Sequence, residues 1–224
     1  MEYRFTKPIE MPRGSHYGSN YIILQSPKLG RKVTTFSSLE FYNLLQLEMD
    51  PDVEFYCEQP ARLSTYLDEE IGIVHFTPDV YVVMRDGTER LIEVKYTSDL
   101  KDEKKGERTL RQIQAEGKYC RENGMRFTLS TEKTLIPSNF YVENRLQMVS
   151  YVNRSRYSFP ERAFDDMTLY LINHPKVTVQ DLVSAGIIES SRALAFVSVA
   201  IFNGKARVND NGRTFGLNTE VYSR

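Results

Sequence analysis

Two short apolar segments, Val80–Met84 and Arg90–Val94, constrain the fold most strongly, because Arg85-Asp86-Gly87 between them has the composition of a tight turn. Apolar segments joined in this way predict a β-hairpin. A two-residue loop would pair position 79 with position 94, whereas a three-residue loop pairs 79 with 93. Because Gly87 lies where a type I turn followed by a left-handed glycine requires it, we predict the three-residue loop.

Charged residues stand at the ends of both predicted strands. Asp79 precedes the first strand, and Glu93 and Lys95 close the second. Residues two apart in a strand share a face, and the predicted register brings Asp79 to the face of Glu93 and Lys95. Mg²⁺ prefers carboxylate oxygens, a bound cation lowers the pKa of an attacking water, and an ammonium group stabilises developing negative charge. We therefore predict a nuclease site that uses Mg²⁺, with Mn²⁺ as a possible substitute.

The spacing of an acidic residue and a lysine is weak evidence by itself. The same spacing occurs in a charged loop or a helix at Asp99–Lys101, Asp102–Lys104, Glu103–Lys105 and Glu116–Lys118. Only Glu93–Lys95 closes an apolar strand, where a charged pair is costly unless it is used or paired. The alternative is an exposed edge strand with a surface ion pair, and the spacing leaves both interpretations open.

The remaining pattern predicts an α/β domain followed by a helical one. Ser37-Ser38-Leu39-Glu40 predicts a capping box at a helix start, and Asp50-Pro51 ends that helix. Further strands are predicted at about 53–56, 62–67, 73–76 and 127–131, with a charged loop at 97–106 and a helix at 107–121. Later helices are predicted at about 139–150, 161–173, 178–185 and 190–200. A hairpin at 202–208 is predicted to turn at Asn203-Gly204.

These elements divide the chain into three predicted segments. Residues 1–36 hold many Pro, Gly and Ser residues and predict an irregular N-terminal arm. Residues 37–135 predict the α/β domain, and residues 139–224 predict a small helical, winged-helix-like domain. Thr178 and either Ser190 or Ser191 are predicted helix caps, and Gly186 is a predicted helix stop.

Glu40, Gln59 and Glu116 each have two interpretations. The capping box explains Glu40 by itself, and a glutamate bent back to cap its helix cannot reach a metal as well. Gln59 is typical of a loop glutamine bonded to backbone, with a structural role near the site as the alternative. Glu116 is predicted to be an exposed helix glutamate rather than part of the site.

Charge and composition limit the classes of protein. The net charge of −1 argues against a uniformly basic DNA-binding surface, so contacts to DNA must be local. Two clusters are the candidates for such contacts, Lys28, Arg31 and Lys32 in the first, and Lys104 and Lys105 with Lys101, Arg108 and Arg111 in the second. The alternative is two solvated loops, which either cluster by itself favours.

The cysteines and histidines predict neither a disulfide framework nor a zinc site. Cys57 and Cys120 are too few for a framework, and the three histidines lack ligand spacing. The sequence has no apolar run near the ~20 residues of a membrane span, and its first residues lack the apolar core of a secretion signal. We therefore expect a reducing cytoplasm.

Several short motifs follow one another over roughly residues 28–135. They are Gly30-Arg31-Lys32, Ser37-Ser38-Leu39-Glu40, Glu58-Gln59-Pro60, Thr77-Pro78-Asp79, Ile92-Glu93-Val94-Lys95, Tyr119-Cys120, Gly124, Phe127 and Thr131-Glu132. In order and spacing they resemble TnsA, the endonuclease subunit of heteromeric Tns transposases.

The resemblance implies a restriction-endonuclease-like mixed sheet flanked by helices, with a PD-(D/E)xK site. It implies that Asp79 and Glu93 bind Mg²⁺, that Lys95 assists the attacking water, and that Glu40 is a further catalytic carboxylate and metal ligand. The enzyme would cut the 5′ ends of a transposon, on the strand not joined to the target. A TnsB-like transposase would cut and join the 3′ ends in the bacterial cytoplasm.

The resemblance further implies that the C-terminal domain contacts a TnsC-like, ATP-dependent regulator. The predicted helix at 190–200 has one arginine and is otherwise small and apolar, which favours burial or partner contact over base reading. Two alternatives stay open. One is a stand-alone restriction or repair nuclease, and the other is a non-catalytic DNA-binding or adaptor protein with the same fold.

Overall fold

The computed structural model describes residues 3–10, 20–102, 106–209 and 212–224. The chain forms two compact units. The first comprises Met1–Leu24, Arg31–Leu44 and Asp52–Leu135, and the second comprises Gln25–Gly30, Leu45–Pro51 and Ile136–Arg224.

The first unit combines strands and helices. Its strands are β1 (Ile22–Gln25), β2 (Lys32–Thr35), β3 (Val53–Glu58), β4 (Leu63–Tyr66), β5 (Ile73–Phe76), β6 (Val80–Met84), β7 (Glu89–Val94) and β8 (Arg126–Ser130). Its helices are α1 (Ser38–Met49), whose last residues count with the second unit, α2 (Thr97–Lys101), α3 (Gly106–Glu122) and α4 (Glu132–Leu135).

The central sheet has the strand order β3-β6-β7-β8. Strand β6 pairs antiparallel with both β3 and β7, whereas β8 pairs with β7 in parallel. This mixed sheet with its helices fits the predicted restriction-endonuclease-like fold. Strands β1 and β2 form a separate two-stranded ribbon, as do β4 and β5.

The β6–β7 hairpin has the predicted three-residue loop. The N–H of Met84 donates to the carbonyl of Thr88 at 2.9 Å, and Gly87 has a φ of 83°. Val80 pairs with Ile92, so one further step along the ladder brings position 79 opposite position 93. The predicted register is confirmed.

Two predictions for the first unit are wrong in part. The predicted N-terminal arm contains β1 and β2, and its first residues pack on the sheet: Tyr3 stacks on Phe55 at 4.3 Å, and Phe5 meets Tyr81 edge-on at 5.1 Å. These aromatic partners lie far away in sequence, so no local pattern indicates them. The predicted charged loop at 97–106 includes the short helix α2.

The second unit is mainly helical. Its elements are α5 (Tyr141–Ser155), α6 (Glu161–Asn173), β9 (Val177–Thr178), α7 (Val179–Ser184), a 3-10 helix (Ser190–Arg192), α8 (Ala193–Phe202), β10 (Ala206–Asn209) and β11 (Glu220–Ser223). The three strands pair antiparallel in the order β10-β11-β9. Phe196 of α8 stacks on Phe164 of α6 at 4.9 Å. Helix α8 is almost wholly buried, as its apolar composition predicts.

The sequence pattern located some boundaries of the second unit and missed others. Thr178 forms a capping box with Asp181, and Gly186 has a φ of 72° just beyond α7, as predicted. The predicted hairpin at 202–208 is wrong, because Asn203-Gly204 ends α8 and β10 pairs with the distant β11. The predicted caps at Ser190 and Ser191 are also wrong, since a 3-10 turn precedes α8 and Arg192 is its N-cap residue without a side-chain hydrogen bond.

No helix within the described ranges is both long and apolar enough to cross a membrane.

The hairpin turn can be tested by Gly87→Ala. The left-handed conformation costs an L side chain about 1 kcal/mol, so the substitution should lower the free energy of unfolding by about that amount. The control is Gly117→Ala in α3, where an added Cβ would lie 3.6 Å from Arg121 Nη1, an ordinary contact. Alanine favours the helix by about 1 kcal/mol, so this variant should be as stable as the parent or more stable. Urea unfolding measures both, and equal midpoints for the two variants would contradict the assigned turn.

Candidate active site

Asp79 is held at the start of the hairpin by both neighbouring strands. Its Oδ2 accepts a hydrogen bond from the N–H of Val94 at 2.7 Å, and its carbonyl accepts one from the N–H of Gln59 at 2.9 Å. The bond to Val94 brings the Asp79 carboxylate beside the end of β7. The structure therefore brings Asp79 together with Glu93, as the predicted register requires.

Glu93 lies near the end of β7 with its side chain only 1% exposed. Its Oε1 accepts hydrogen bonds from Lys95 Nζ and from Gln112 Nε2, the latter at 2.7 Å. Its Oε2 is buried and has no hydrogen-bond partner. Lys95 lies two residues along the chain on the same face, so the predicted Glu93–Lys95 pair is an ion pair at the end of a buried strand.

Glu116 brings a further carboxylate to this group from α3. The residue is fully buried, so the prediction of an exposed helix glutamate is wrong. Gln112, one turn earlier, donates from Nε2 to Glu116 Oε1 at 2.9 Å as well as to Glu93. Like Glu93, Glu116 has a buried Oε2 without a hydrogen-bond partner. The helical spacing of Gln112, Glu116 and Cys120 was the available signal, because such residues share one face.

The electrostatics follow from this burial. Burial raises the pKa of Asp79 well above its ordinary value, and the charges of Glu93 and Glu40 raise it further. Burial, reinforced by the charge of Glu116, raises the pKa of Glu93 to about 7. Burial, with the charge of Asp79, raises the pKa of Glu116 to about 7 as well. At neutral pH the buried carboxylates are therefore electrostatically unfavourable unless a proton or an added positive charge stabilises them.

Lys95 supplies one positive charge to the cluster. Burial alone would lower its pKa, but the carboxylates of Asp79 and Glu93 outweigh that effect and raise it. Lys95 is consequently a stable cation, suited to holding an anionic or polar group in place and unsuited to acting as a general base.

Glu40 takes part in the cap and also influences the site. Ser37 Oγ accepts the N–H of Glu40 at 3.1 Å, and Glu40 Oε2 accepts the N–H of Phe36 at 3.0 Å. The same oxygen lies 3.4 Å from Gln59 Nε2, and the Glu40 charge acts on Asp79. The predicted conflict between capping and site is therefore partial, since one carboxylate oxygen serves the cap while the group stays close enough to raise the pKa of Asp79.

The carboxylates fit a divalent cation by their chemistry. The buried Oε2 atoms of Glu93 and Glu116 lack donors, and a buried unpaired carboxylate oxygen is costly unless a proton or a cation meets it. Within the described part of the chain, however, no three His, Cys, Asp or Glu side chains already stand in a metal-holding arrangement. Cation binding would thus have to draw these carboxylates together.

The residues predicted to contact DNA fall into different settings. Arg31 forms two hydrogen bonds of 2.6 Å with Glu58, so its guanidinium is engaged within the first unit. Lys28 belongs to the second unit, where its Nζ donates to the carbonyl of Asp50 at 3.1 Å. Lys32 is exposed. Lys104 and Lys105 lie outside the described residues.

The mixed sheet, with acidic residues and a lysine gathered beside one hairpin, defines a protein with the architecture of restriction-endonuclease-like nucleases. Residues 50–132 match the family described as "TnsA-like endonuclease N terminal", so this part of the chain is similar to that family. The match indicates a nuclease of the Tn7 transposase type, engaged with DNA and the Tn7-type transposition machinery. No curated protein matches the sequence. The matched residues include Asp79, Glu93, Lys95 and Glu116, whereas Glu40 lies outside them.

The ion pair of Arg31 can be distinguished from a DNA contact by mutation. Arg31→Ala would leave Glu58, whose side chain is 4% exposed, without its partner, and breaking a buried pair costs about 3 kcal/mol. We expect urea unfolding to show a loss of that order. Lys32→Ala is the neighbouring control, and it should change stability by less than about 0.5 kcal/mol. If Arg31→Ala proves as stable as Lys32→Ala, the pair contributes nothing to folding.

Proposed function

We propose that the chain is a Mg²⁺-dependent DNA endonuclease subunit of a Tn7-type transposase, which cuts the 5′ ends of the element on the strand that is not transferred. The observation that carries this proposal is the meeting of Asp79, Glu93 and Lys95 beside the β6–β7 hairpin, with buried carboxylate oxygens that lack donors. The family match supplies the transposition context.

In this proposal Asp79, Glu93 and Glu40 hold the cation. Mg²⁺ would lower the pKa of an attacking water and offset negative charge on the scissile phosphate. Asp79 and Glu93 are well suited to such binding. Their burial disfavours the charged carboxylates and so raises their pKa values, and a nearby cation would offset that cost. Glu116 adds a further carboxylate behind Glu93, and Gln112 holds both groups in register.

Lys95 would act on the water and the phosphate. Its ammonium is anchored by Glu93 and keeps its proton, so it can orient the attacking water by donating a hydrogen bond and can stabilise the negative charge that develops on phosphate oxygens. The side chain is about a quarter exposed, which leaves it reachable from solvent.

The second unit is proposed to be winged-helix-like and to contact a TnsC-like, ATP-dependent regulator, while a TnsB-like transposase acts on the 3′ ends. Helix α8 is buried, so it cannot supply the contact. Helix α6 instead exposes Leu169 and Ile172, which are 62% and 66% exposed and one turn apart on the same face. Exposed apolar side chains at this spacing support protein contact over base reading.

The proposal is tested by Lys95→Ala in a reaction containing the purified chain, a TnsB-like transposase, a TnsC-like regulator and Mg²⁺. Loss of an electrostatic contact to the transition state should slow 5′-end cutting by about 100-fold or more, whereas assembly on transposon ends should be unchanged. The exposed Lys133→Ala is the matched control and should cut normally. Persistent 5′-end cutting by Lys95→Ala would show the mechanism to be wrong.

The alternative functions predict different outcomes in the same assay. A stand-alone restriction or repair nuclease would cut plasmid DNA robustly with Mg²⁺ and no partner, and that result would contradict the transposase-subunit proposal. A non-catalytic adaptor would support 5′-end cutting equally well with Lys95 or alanine at this position. We expect neither result, because the buried Glu93–Lys95 pair would be a costly feature in a protein that made no use of it.

A further inference from the structure

Gln59 has an unusual backbone conformation at the edge of the candidate site. Its φ is 36°, and within the described ranges it is the non-glycine residue with a positive φ. It also precedes Pro60, and the residue before a proline normally prefers an extended backbone. Such a conformation persists only where the surrounding contacts enforce it, and it is found most often at functional sites.

Gln59 joins separate segments through its N–H, its carbonyl and its side-chain Nε2. Its N–H donates to the carbonyl of Asp79 at 2.9 Å, and its carbonyl accepts the N–H of Ile9 at 3.0 Å. Its side-chain Nε2 lies 3.4 Å from Glu40 Oε2. The residue is only 6% exposed, so these contacts are held within the first unit. Gln59 thus contacts both Asp79 and Glu40, two residues that no single helix or strand contains.

The Glu40 carboxylate has two donors on the same oxygen. The N–H of Phe36 donates to Oε2 at 3.0 Å and ties Glu40 to the start of its own helix, whereas Gln59 Nε2 donates to Oε2 at 3.4 Å. Only the second donor belongs to the residue whose backbone also holds Asp79. A glutamine amide supplies the donor without adding a positive charge that would compete with a cation, and without adding another negative charge.

We propose that Gln59 is a positioning residue of the nuclease site. Its side-chain amide contacts the Glu40 carboxylate and its N–H holds the Asp79 backbone, so that both residues are kept beside the site from which a cation would draw their carboxylates together. The left-handed backbone of Gln59 is the cost of reaching both groups at once. This inference rests on the proposed function, and it assigns Gln59 no contact with the reacting atoms.

Two substitutions separate the amide from the backbone strain. Gln59→Met keeps the length and burial of the side chain but has no donor. Gln59→Gly also lacks the donor, but it adopts a positive φ freely and so relieves the strain. A merely structural role for Gln59 predicts that the glycine variant behaves like the parent, whereas a positioning role predicts that both variants are impaired.

The first measurement is the binding of Mn²⁺ alone to the purified chain, by calorimetry and without DNA. Groups that orient metal ligands typically contribute about tenfold or more to metal affinity. We expect both variants to weaken Mn²⁺ binding by about tenfold while unfolding in urea as cooperatively as the parent. Gln114→Met, at an exposed position of α3, is the matched control and should bind Mn²⁺ like the parent.

The second measurement is the Mg²⁺ dependence of 5′-end cutting in the full assembly. Both Gln59 variants should need about tenfold more Mg²⁺ for half-maximal cutting and should approach the parental rate when Mg²⁺ is saturating. Parental Mn²⁺ affinity together with parental Mg²⁺ dependence in either variant would overturn the positioning role. The proposed function is judged separately, because it fails only if Lys95→Ala still cuts or if the parent protein binds no Mn²⁺.

Discussion

The burial of Glu93 and Glu116 is the constraint on which the first unit depends. Two carboxylates removed from water beside Asp79 would be strongly unfavourable without compensation. The chain compensates in part, since Lys95 provides a positive charge and Gln112 divides its amide hydrogens between both glutamates. Two oxygens still lack donors. The cation proposed for this site would offset the cost that the two buried oxygens leave.

The cluster is assembled from segments that meet only through the sheet. The β6–β7 hairpin contributes Asp79, Glu93 and Lys95. Helix α3, which leads to the parallel strand β8, contributes Gln112 and Glu116. Glu40 comes from the first turn of α1, where Ser37 Oγ accepts its N–H and the N–H of Phe36, one residue before Ser37, donates to its Oε2 in place of the predicted bond from Ser37. Gln59, in the loop after β3, then connects α1 to the hairpin. The precision of the site therefore depends on hydrogen bonds between elements rather than on any one element.

The contact of Glu40 with its own helix start is compatible with the catalytic role proposed for it, because a carboxylate has two oxygens. The cap occupies Oε2, and the charge of the group still acts on Asp79 across the site. Anchoring an acidic residue through a helix cap restricts its side-chain conformations before any ligand binds, which lowers the entropy lost on binding. The family match begins at residue 50, so this anchoring lies in a part of the chain that the family description does not cover.

Local chemistry determined the hairpin and its register, because Gly87 permits only one favourable loop there, and the register then placed Asp79 opposite Glu93. The same kind of signal gave a wrong prediction at Asn203-Gly204, where a hairpin turn was predicted and a helix ends, since a glycine is equally favourable in both settings. The spacing of Gln112, Glu116 and Cys120 places them on one helix face, but the tertiary structure decided that this face is the one that packs against the sheet and buries Glu116. It also decided the role of Gln59, whose partners Ile9, Glu40 and Asp79 are distant in sequence and become neighbours only when the sheet and α1 come together.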